Sequence, residues 1–395
     1  MLNQSVLALG KKRSTIREIF EYGNLRAAQV GRENIFDFSI GNPNVPAPDA
    51  VREAIVEIAQ GDPCAVHGYT SAQGAPQARQ AIADNLNARF GTQYTAEQLY
   101  LTVGAAASIS ICFKALTASP EDEFIIFAPF FPEYNVFIEQ GAGAKCVIVP
   151  AQDADFQIDF DAFEARLTAH TKGVVVNSPN NPSGVVYSDQ TVARLAEILT
   201  RKSEEYGHPI YLISDEPYRE IVYDGREVPF VAKAYPRTLV CYSYSKSLSL
   251  PGERIGYVLV PQVEEFGDLY AAVCGAGRVL GYVCAPSLFQ QVAARCAGET
   301  AALSIYEENR KLLFEGLTEM GYSCVKPDGA FYLFPRTLEA DDRAFCERAK
   351  KYDLLLVPGT DFGAPGHMRI SYCVQTETIR RALPLFRRLA EEYGR

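Results

Sequence analysis

The sequence contains no run of about 18 apolar residues, the minimum for a helix that crosses a bilayer. Its ten cysteines are scattered from Cys64 to Cys373 without a C-x-x-C pair, and there are only four histidines, which disfavours a zinc site or a disulfide framework. Basic residues are outnumbered, 38 against 48 acidic, and the net charge of −10 disfavours a broad nucleic-acid-binding surface. The segment Met1 to Gly10 has no signal-peptide pattern. We therefore expect a cytoplasmic protein with reduced thiols, no metal, and neither nucleic acid nor membrane as a partner.

What the sequence does contain is an alternation of helical patterns with short, almost unbroken apolar runs. Such runs are typical of strands that are buried on both faces of a sheet. Because helical patterns separate them, the sequence predicts an α/β fold with a doubly wound, mostly parallel sheet. The runs are Leu99–Val103, Glu123–Phe127, Cys146–Val149, Gly173–Asn177, Ile210–Ser214, Leu239–Tyr242 and Gly256–Val260.

The pattern changes after about residue 285, and a chain of 395 residues favours two domains. Helical stretches there alternate with short strand-like pieces, which include Tyr322–Val325 and Met368–Cys373. We predict a large α/β domain over residues 45–285. A smaller α+β domain is expected over residues 286–395, completed by residues 1–44.

Unusual polar residues and glycines follow the predicted strands. Asp215, Asn181 and Lys246 lie just beyond three of them, Gly104 ends another, and Arg254 precedes the next. Ligands of an open α/β sheet collect at the carboxyl ends of its strands. Each residue alone has an ordinary structural explanation, as a helix cap, a turn or a solvated charge. Together they indicate a ligand site at one edge of the sheet.

Pyridoxal phosphate (PLP) chemistry requires such a set of residues. A lysine must form a Schiff base with the cofactor aldehyde, and a carboxylate must keep the pyridine nitrogen protonated so that the ring accepts electrons. Other donors must reach the ring hydroxyl. The phosphate needs N–H groups at a helix N-terminus and an arginine.

The segment from Ser243 to Tyr257, SYSKSLSLPGERIGY, resembles the lysine signature of the class I and II aminotransferases, which have PLP fold type I. Further matches follow in the family's order, so the resemblance runs from about residue 35 to residue 372. They are Ile40-Gly41-Asn42-Pro43, Gly68-Tyr69-Thr70 with Gly74, Thr102-Val103-Gly104-Ala105, Asn180-Asn181-Pro182-Ser183-Gly184, Ser214-Asp215-Glu216-Pro217-Tyr218 and Arg369-Ile370-Ser371-Tyr372.

The resemblance implies a role for each matching residue around the cofactor ring. Lys246 would be the Schiff-base lysine and the base that moves the substrate proton. Asp215 would pair with the pyridine nitrogen. Asn181 and Tyr218 would bond the ring hydroxyl oxygen and lower the pKa of the imine. Phe131 would stack on the ring.

The phosphate group would be held by one short set of residues, with Tyr69 reaching it from the neighbouring subunit of a homodimer. That set consists of the N–H groups of Ala105 and Ala106 together with Ser243, Ser245 and Arg254. The run Ala105-Ala106-Ala107-Ser108 departs from the family pattern, because many relatives place a polar or lysine residue there.

For the substrate, the resemblance implies that Arg369 clamps the α-carboxylate in a bidentate pair, assisted by Asn181 and Gly41. Arg278, brought by the partner subunit, would favour aspartate and glutamate. Aromatic residues offer the alternative of a pocket for larger side chains; they are Phe130, Tyr134 and Tyr282.

The resulting hypothesis is an aminotransferase that passes an amino group between an L-amino acid and a 2-oxo acid in two stages. Lyases and decarboxylases of the same fold use the same cofactor site and remain alternatives, although Asp215-Glu216-Pro217-Tyr218 resembles the transaminase form. A PLP-binding regulatory module would need an added DNA-binding segment, for which we find no room. A dinucleotide-binding oxidoreductase is disfavoured because no G-x-G-x-x-G follows an early strand.

Overall fold

The apolar runs form the strands of a seven-stranded sheet in a computed structural model, which describes residues 2–11, 14–152 and 154–395. The strands of the chain are β1 (Phe36–Asp37), β2 (Leu99–Thr102), β3 (Glu123–Phe127), β4 (Lys145–Val149), β5 (Thr171–Asn177), β6 (Tyr211–Asp215), β7 (Thr238–Ser243), β8 (Gly256–Leu259), β9 (Tyr332–Leu333), β10 (Leu354–Leu355), β11 (Val357–Pro358) and β12 (Met368–Ser371).

The large sheet has the strand order β2-β8-β7-β6-β5-β3-β4. Its pairs are parallel except those that β8 makes with β2 and β7, so β8 alone runs against the other strands. This confirms the predicted α/β fold with a mostly parallel sheet. The reversal of β8 has a consequence for the site, because the residues that precede β8 lie at the edge where its neighbours end.

Helices cover both faces of this sheet. The α-helices are α1 (Gln4–Lys11), α2 (Thr15–Val30), α3 (Asp49–Ala59), α4 (Pro63–His67), α5 (Pro76–Phe90), α6 (Ala105–Leu116), α7 (Glu133–Val136), α8 (Phe160–Glu164), α9 (Asp189–Tyr206), α10 (Val231–Ala234), α11 (Tyr244–Ser247), α12 (Phe266–Leu280), α13 (Ser287–Arg295), α14 (Ser304–Glu319), α15 (Asp342–Ala349) and α16 (Thr376–Glu391).

Side chains that alternate along the strands supply two separate cores. In β3, Phe124 and Ile126 face a core shared with α6 and α12, whereas Ile125 faces a second core with α9. This alternation is the reason that the runs are apolar throughout, since a strand covered on both faces has no exposed side. None of the helices in the described part of the chain is long and apolar enough to span a bilayer.

The last hundred residues build a second unit around α14, α16 and the small sheet β11-β12-β9. Strand β1 pairs in parallel with β10, which brings the N-terminal segment to this unit. Helix α13, however, packs against α3 and α5, and its residues share their core. We therefore propose that the division between the two units falls after α13 rather than at residue 285.

One predicted strand is wrong. The segment Tyr322–Val325 belongs to no sheet, and the Ser323 carbonyl accepts a hydrogen bond from the N–H of Arg336. The Tyr322 ring is buried instead against Phe345 and Phe386. Its apolar character therefore reflects packing against helices and not a strand ladder.

Candidate active site

A cavity of about 170 Å³ opens at the edge of the large sheet where β5, β6 and β7 end. Ten of its lining residues were predicted from the sequence. They are Ala105, Ala106, Phe131, Asn181, Asp215, Tyr218, Ser243, Ser245, Lys246 and Arg254. The other lining residues are Ile109, Asn177, Pro217 and Pro251. The sheet thus brings together residues that are up to 149 positions apart, from Ala105 to Arg254.

Lys246 lies in α11, directly after β7, and its side chain is held inside the cavity. Its Nζ donates a hydrogen bond to the carbonyl of Gly41 at 2.6 Å. The pKa of this lysine is lowered from its ordinary 10.5 to about 8, mainly by burial; Cys373 opposes the shift, and the nearby Arg369 and Arg254 contribute to it. A lysine with such a pKa is partly neutral near physiological pH, which is the form that attacks an aldehyde.

Asp215 ends β6 and is fully enclosed between β5 and β7. Its Oδ2 accepts a hydrogen bond from the hydroxyl of Tyr134 at 2.5 Å, whereas its buried Oδ1 has no partner. The pKa of this carboxyl is raised to about 7, mainly by burial; the bond from Tyr134 opposes the rise, and Glu216 contributes to it. A buried acceptor without a partner fits a cationic donor from a ligand, such as a protonated pyridine nitrogen.

Tyr134 is therefore part of the site in a way that the sequence did not indicate. The three aromatic residues that the sequence offers as walls of a substrate pocket do not line the cavity; they are Phe130, Tyr134 and Tyr282. The Tyr134 hydroxyl is committed to Asp215, and burial followed by that carboxylate raises its own pKa well above the usual range. Its ring packs edge-on against Phe131, with 5.6 Å between the centroids, and so supports the residue expected to stack on the cofactor.

The opposite end of the cavity is built to receive an anion. Ala105 and Ala106 form the first turn of α6, where backbone N–H groups have no acceptor within the helix. Gly104 precedes them with a φ of 93°, and a Cβ at this position would lie 2.7 Å from the Arg254 guanidinium. Arg254 itself has a φ of 54°, a strained conformation for an arginine that directs it to this turn.

Two serines complete this anion-binding end. The hydroxyls of Ser243 and Ser245 lie 2.7 Å apart, and the Arg254 Nη1 donates to Ser245 at 3.5 Å and to the Pro251 carbonyl at 2.9 Å. Arg254 can reach the edge where β7 ends because it precedes the reversed strand β8. The arrangement gives a phosphate one guanidinium, two hydroxyls and the N-terminus of α6.

Arg369 lies on β12 beside the cavity and is buried, with 3 % of its surface exposed. Its Nη1 donates to Asn181 Oδ1 at 3.1 Å, and its Nη2 donates to the Ser39 carbonyl. Burial lowers the pKa of this guanidinium. Its Nε has no partner, so the group retains a donor for a ligand.

Asn177 is a site residue that the sequence reasoning missed, although it ends β5 as Asp215 ends β6. Its Nδ2 donates to the Asp215 carbonyl at 2.9 Å, and its Oδ1 accepts from the Asn181 N–H at 2.8 Å. Asn177 thereby fixes Asn181 relative to Asp215. The strand-end rule that selected Asp215 would have selected Asn177 as well.

Two of the predicted residues lie away from the cavity of their own chain. Tyr69 is 90 % exposed, and Arg278 is exposed in the last turn of α12. Next to Arg278, the side chains of Val279, Leu280 and Val283 are also exposed. Their roles at a neighbouring subunit's site stay predictions.

Comparison with known proteins gives a consistent set of relatives. A family model for class I and II aminotransferases matches residues 33–385. The aspartate/prephenate aminotransferase of Thermus thermophilus is 30% identical over 374 residues, 93% of this chain and 94% of that protein. The aspartate aminotransferase of Thermotoga maritima is 29% identical over 358 residues, 89% of this chain and 90% of its own length.

Solved structures agree with these relatives. A crystal structure of an amino transferase from Eubacterium rectale covers 100% of both chains, with 59% identity and a TM-score of 0.98. The structure of the Thermus thermophilus aspartate aminotransferase with maleate covers 98% of this chain and 99% of its own, with 29% identity and a TM-score of 0.84.

Proposed function

This chain belongs to the class I and II aminotransferases, and on that premise we propose what each of its own residues contributes. Its activity is the PLP-dependent transfer of an amino group between an amino acid and a 2-oxo acid. The observation that carries the assignment of roles is one cavity with a partly neutral lysine, a buried carboxylate with a free oxygen, and an anion-binding end.

Bound PLP supplies the aldehyde and the electron-accepting ring that no side chain of the protein provides. Asp215 would pair with its pyridine nitrogen through the free Oδ1, while Tyr134 holds the other carboxylate oxygen. Tyr218 and Asn181 would bond the ring oxygen, and Phe131 would stack on the ring, since all three line the cavity. The N-terminus of α6 with Ser243, Ser245 and Arg254 would hold the phosphate, which their common place at one end of the cavity supports.

Arg369 binds the α-carboxylate of the substrate and so orients the bond that is broken. Lys246 Nζ then takes the proton from the substrate Cα and returns it later in the reaction. Because its pKa is near 8, Nζ can hold or release that proton near neutral pH. The amino acid and the 2-oxo acid both carry a carboxylate beside the reacting carbon. One Arg369 therefore serves both in turn, as a two-stage exchange requires.

We further propose a homodimer with two shared sites in the cytoplasm. Tyr69, 90 % exposed, is available to reach the phosphate of a second subunit. The exposed apolar group of Val279, Leu280 and Val283 would be covered by the same contact. Arg278 lies directly before these apolar residues in the chain. We propose that the partner subunit's Arg278 binds the side-chain carboxylate of an aspartate or glutamate donor.

The test is the absorption spectrum of the purified protein with PLP, before and after single amino acids are added without an oxo acid. Conversion of the cofactor to its amine form, with release of the 2-oxo acid, is the expected result. Release of ammonia or of a decarboxylated product would instead indicate a lyase or a decarboxylase. Conversion by aspartate or glutamate supports the role of Arg278. Conversion by aromatic amino acids alone contradicts that role.

A further inference from the structure

Tyr332 joins two groups of the site that the sequence presents as unrelated. It lies on β9, paired with β12, where its backbone partner is Ser371, two residues from Arg369. The side chain is buried, with 2 % of its surface exposed, and it reaches toward both Arg369 and Tyr218. None of the roles assigned above uses it.

The ring of Tyr332 forms one side of a holder for the carboxylate clamp. The Arg369 guanidinium carbon lies 4.7 Å from the Tyr332 ring centroid and 4.9 Å from that of Phe362. An arginine flanked by two aromatic rings in a buried site gains electrostatic attraction from both ring faces. Two of its nitrogens are also fixed by Asn181 and the Ser39 carbonyl. The ring of Tyr332 thus lies against the guanidinium that carries the remaining donors.

The hydroxyl of Tyr332 has a different partner. Its Oη lies 2.9 Å from the Oη of Tyr218, and both residues are buried. A Cβ built on Gly41 would collide with this hydroxyl, so the missing side chain of Gly41 leaves the space that it occupies. The Gly41 carbonyl in turn accepts the hydrogen bond from Lys246. The Tyr332 hydroxyl therefore lies between Gly41, whose carbonyl accepts from Lys246, and Tyr218, the proposed donor to the cofactor ring oxygen.

We propose that Tyr332 is a positioning residue that couples the two halves of the site, its ring holding Arg369 for the substrate carboxylate and its hydroxyl donating to Tyr218. This inference rests on the proposed roles of Tyr218 and Arg369. When Tyr218 donates its proton to the cofactor ring oxygen, its own oxygen is free to accept one from Tyr332. Hydrogen bonds in such a chain strengthen one another in a buried site.

The two parts of the side chain can be removed separately. Tyr332→Phe keeps the ring and deletes the hydroxyl, so Tyr218 loses its donor in a place where water does not replace it. Tyr218 then becomes a weaker donor, and the cofactor ring oxygen holds its negative charge less well. Tyr332→Leu also removes the ring face beside Arg369. Tyr372→Phe is the matched control, because its hydroxyl bonds the Ala330 carbonyl beside the same small sheet and not a group of the site.

For Tyr332→Phe, the pH at which the absorbance of bound PLP changes should rise by about one unit, the equivalent of one lost hydrogen bond. The KM values for amino donor and 2-oxo acid should stay within about twofold, because the cation–π contact remains. For Tyr332→Leu, both KM values should rise about 10- to 30-fold. Tyr372→Phe should leave the spectral titration and both KM values unchanged.

The outcomes separate this inference from the function on which it rests. If the parent protein binds PLP but transfers no amino group, the proposed function fails, and the spectral titration still decides the role of the hydroxyl. If the parent is active and Tyr332→Phe titrates as the parent does, the coupling is refuted. A melting curve shows whether Tyr332→Leu folds. If Tyr332→Leu does not fold, the spectral titration of Tyr332→Phe alone tests the proposal. A Tyr372→Phe variant with the same spectral shift as Tyr332→Phe would also refute it.

Discussion

Removing the Tyr134 hydroxyl should move the ionisation of Asp215, and the size of the effect follows from the geometry. In Tyr134→Phe, the carboxylate loses the one side-chain donor that contacts its Oδ2 at 2.5 Å. Burial already raises the pKa of Asp215 to about 7, and the Tyr134 bond is what opposes that rise. A hydrogen bond to a charged group contributes about 1.5 to 3 kcal/mol, or about one to two pKa units. The pKa of Asp215 should therefore reach about 8 to 9 in the variant.

The sign of the effect on stability can be stated for the cofactor-free protein. A carboxyl whose folded-state pKa is raised stabilises the fold at low pH, relative to high pH, and that stability is lost as the pH rises from about 4 through the folded pKa. In the parent the loss ends near pH 7, where Asp215 ionises. In Tyr134→Phe it continues to about pH 8 to 9. The variant should thus lose about 1 to 2 kcal/mol more than the parent between pH 6 and pH 9.

Urea unfolding of both cofactor-free proteins at pH 6, 7, 8 and 9 measures this difference. Lys246 also titrates in this range, but it does so in both proteins and cancels in the comparison. The control is Tyr187→Phe, a buried tyrosine of the same unit whose pKa is raised by burial alone. Its effect on stability should be the same at every pH. A Tyr134→Phe penalty that is likewise constant with pH would show that the hydroxyl does not control Asp215.

Other substitutions test the remaining roles. Lys246→Ala should abolish both turnover and the pH-sensitive absorbance that bound PLP shows when it is joined to the lysine, and transfer at the parent rate would remove the assignment of Lys246. Arg369→Gln should raise the KM for amino acid and 2-oxo acid by about 100-fold or more, because a buried charge-assisted pair is lost; unchanged affinity for both substrates would exclude the clamp. Gly41→Ala should displace the Tyr332 hydroxyl and lower kcat, whereas Gly252→Ala, where a Cβ meets open space, should leave kcat unchanged. Equal kcat values for the two alanine variants would show that the space beside Gly41 is not needed.

The large sheet and the residues at its edge could be predicted because local signals determine them. Apolar runs of strand length separated by helices specify a parallel sheet, and such a sheet places Asn181, Asp215 and Lys246 along one edge. The roles came from resemblance and not from the pattern. Asn177 shows that the strand-end pattern alone was not enough, since Asn177 ends a strand as Asp215 does and yet no role was predicted for it.

The tyrosines could not be predicted in the same way. Tyr134 reaches Asp215 across 81 positions of sequence and Tyr332 reaches Tyr218 across 114, and neither stands in a motif that names its partner. A tyrosine in an apolar segment is equally consistent with simple core packing, which is the role that Tyr322 has in the structure. Only the three-dimensional contacts of Tyr134 and Tyr332 decide between these possibilities.

The preference for a substrate side chain is determined neither by the strand pattern nor by the contacts within the cavity. Among the described residues that line the cavity, the cations are Lys246 and Arg254, and the proposed chemistry commits both to the cofactor. Arg369, beside the cavity, is committed to the carboxylate that every substrate carries. A second carboxylate on the substrate therefore finds no uncommitted cation among these groups. If the enzyme prefers aspartate or glutamate, the discriminating charge lies outside these groups, and we propose that the partner subunit's Arg278 supplies it. Arg278 is an exposed arginine beside an exposed apolar surface, as that role requires.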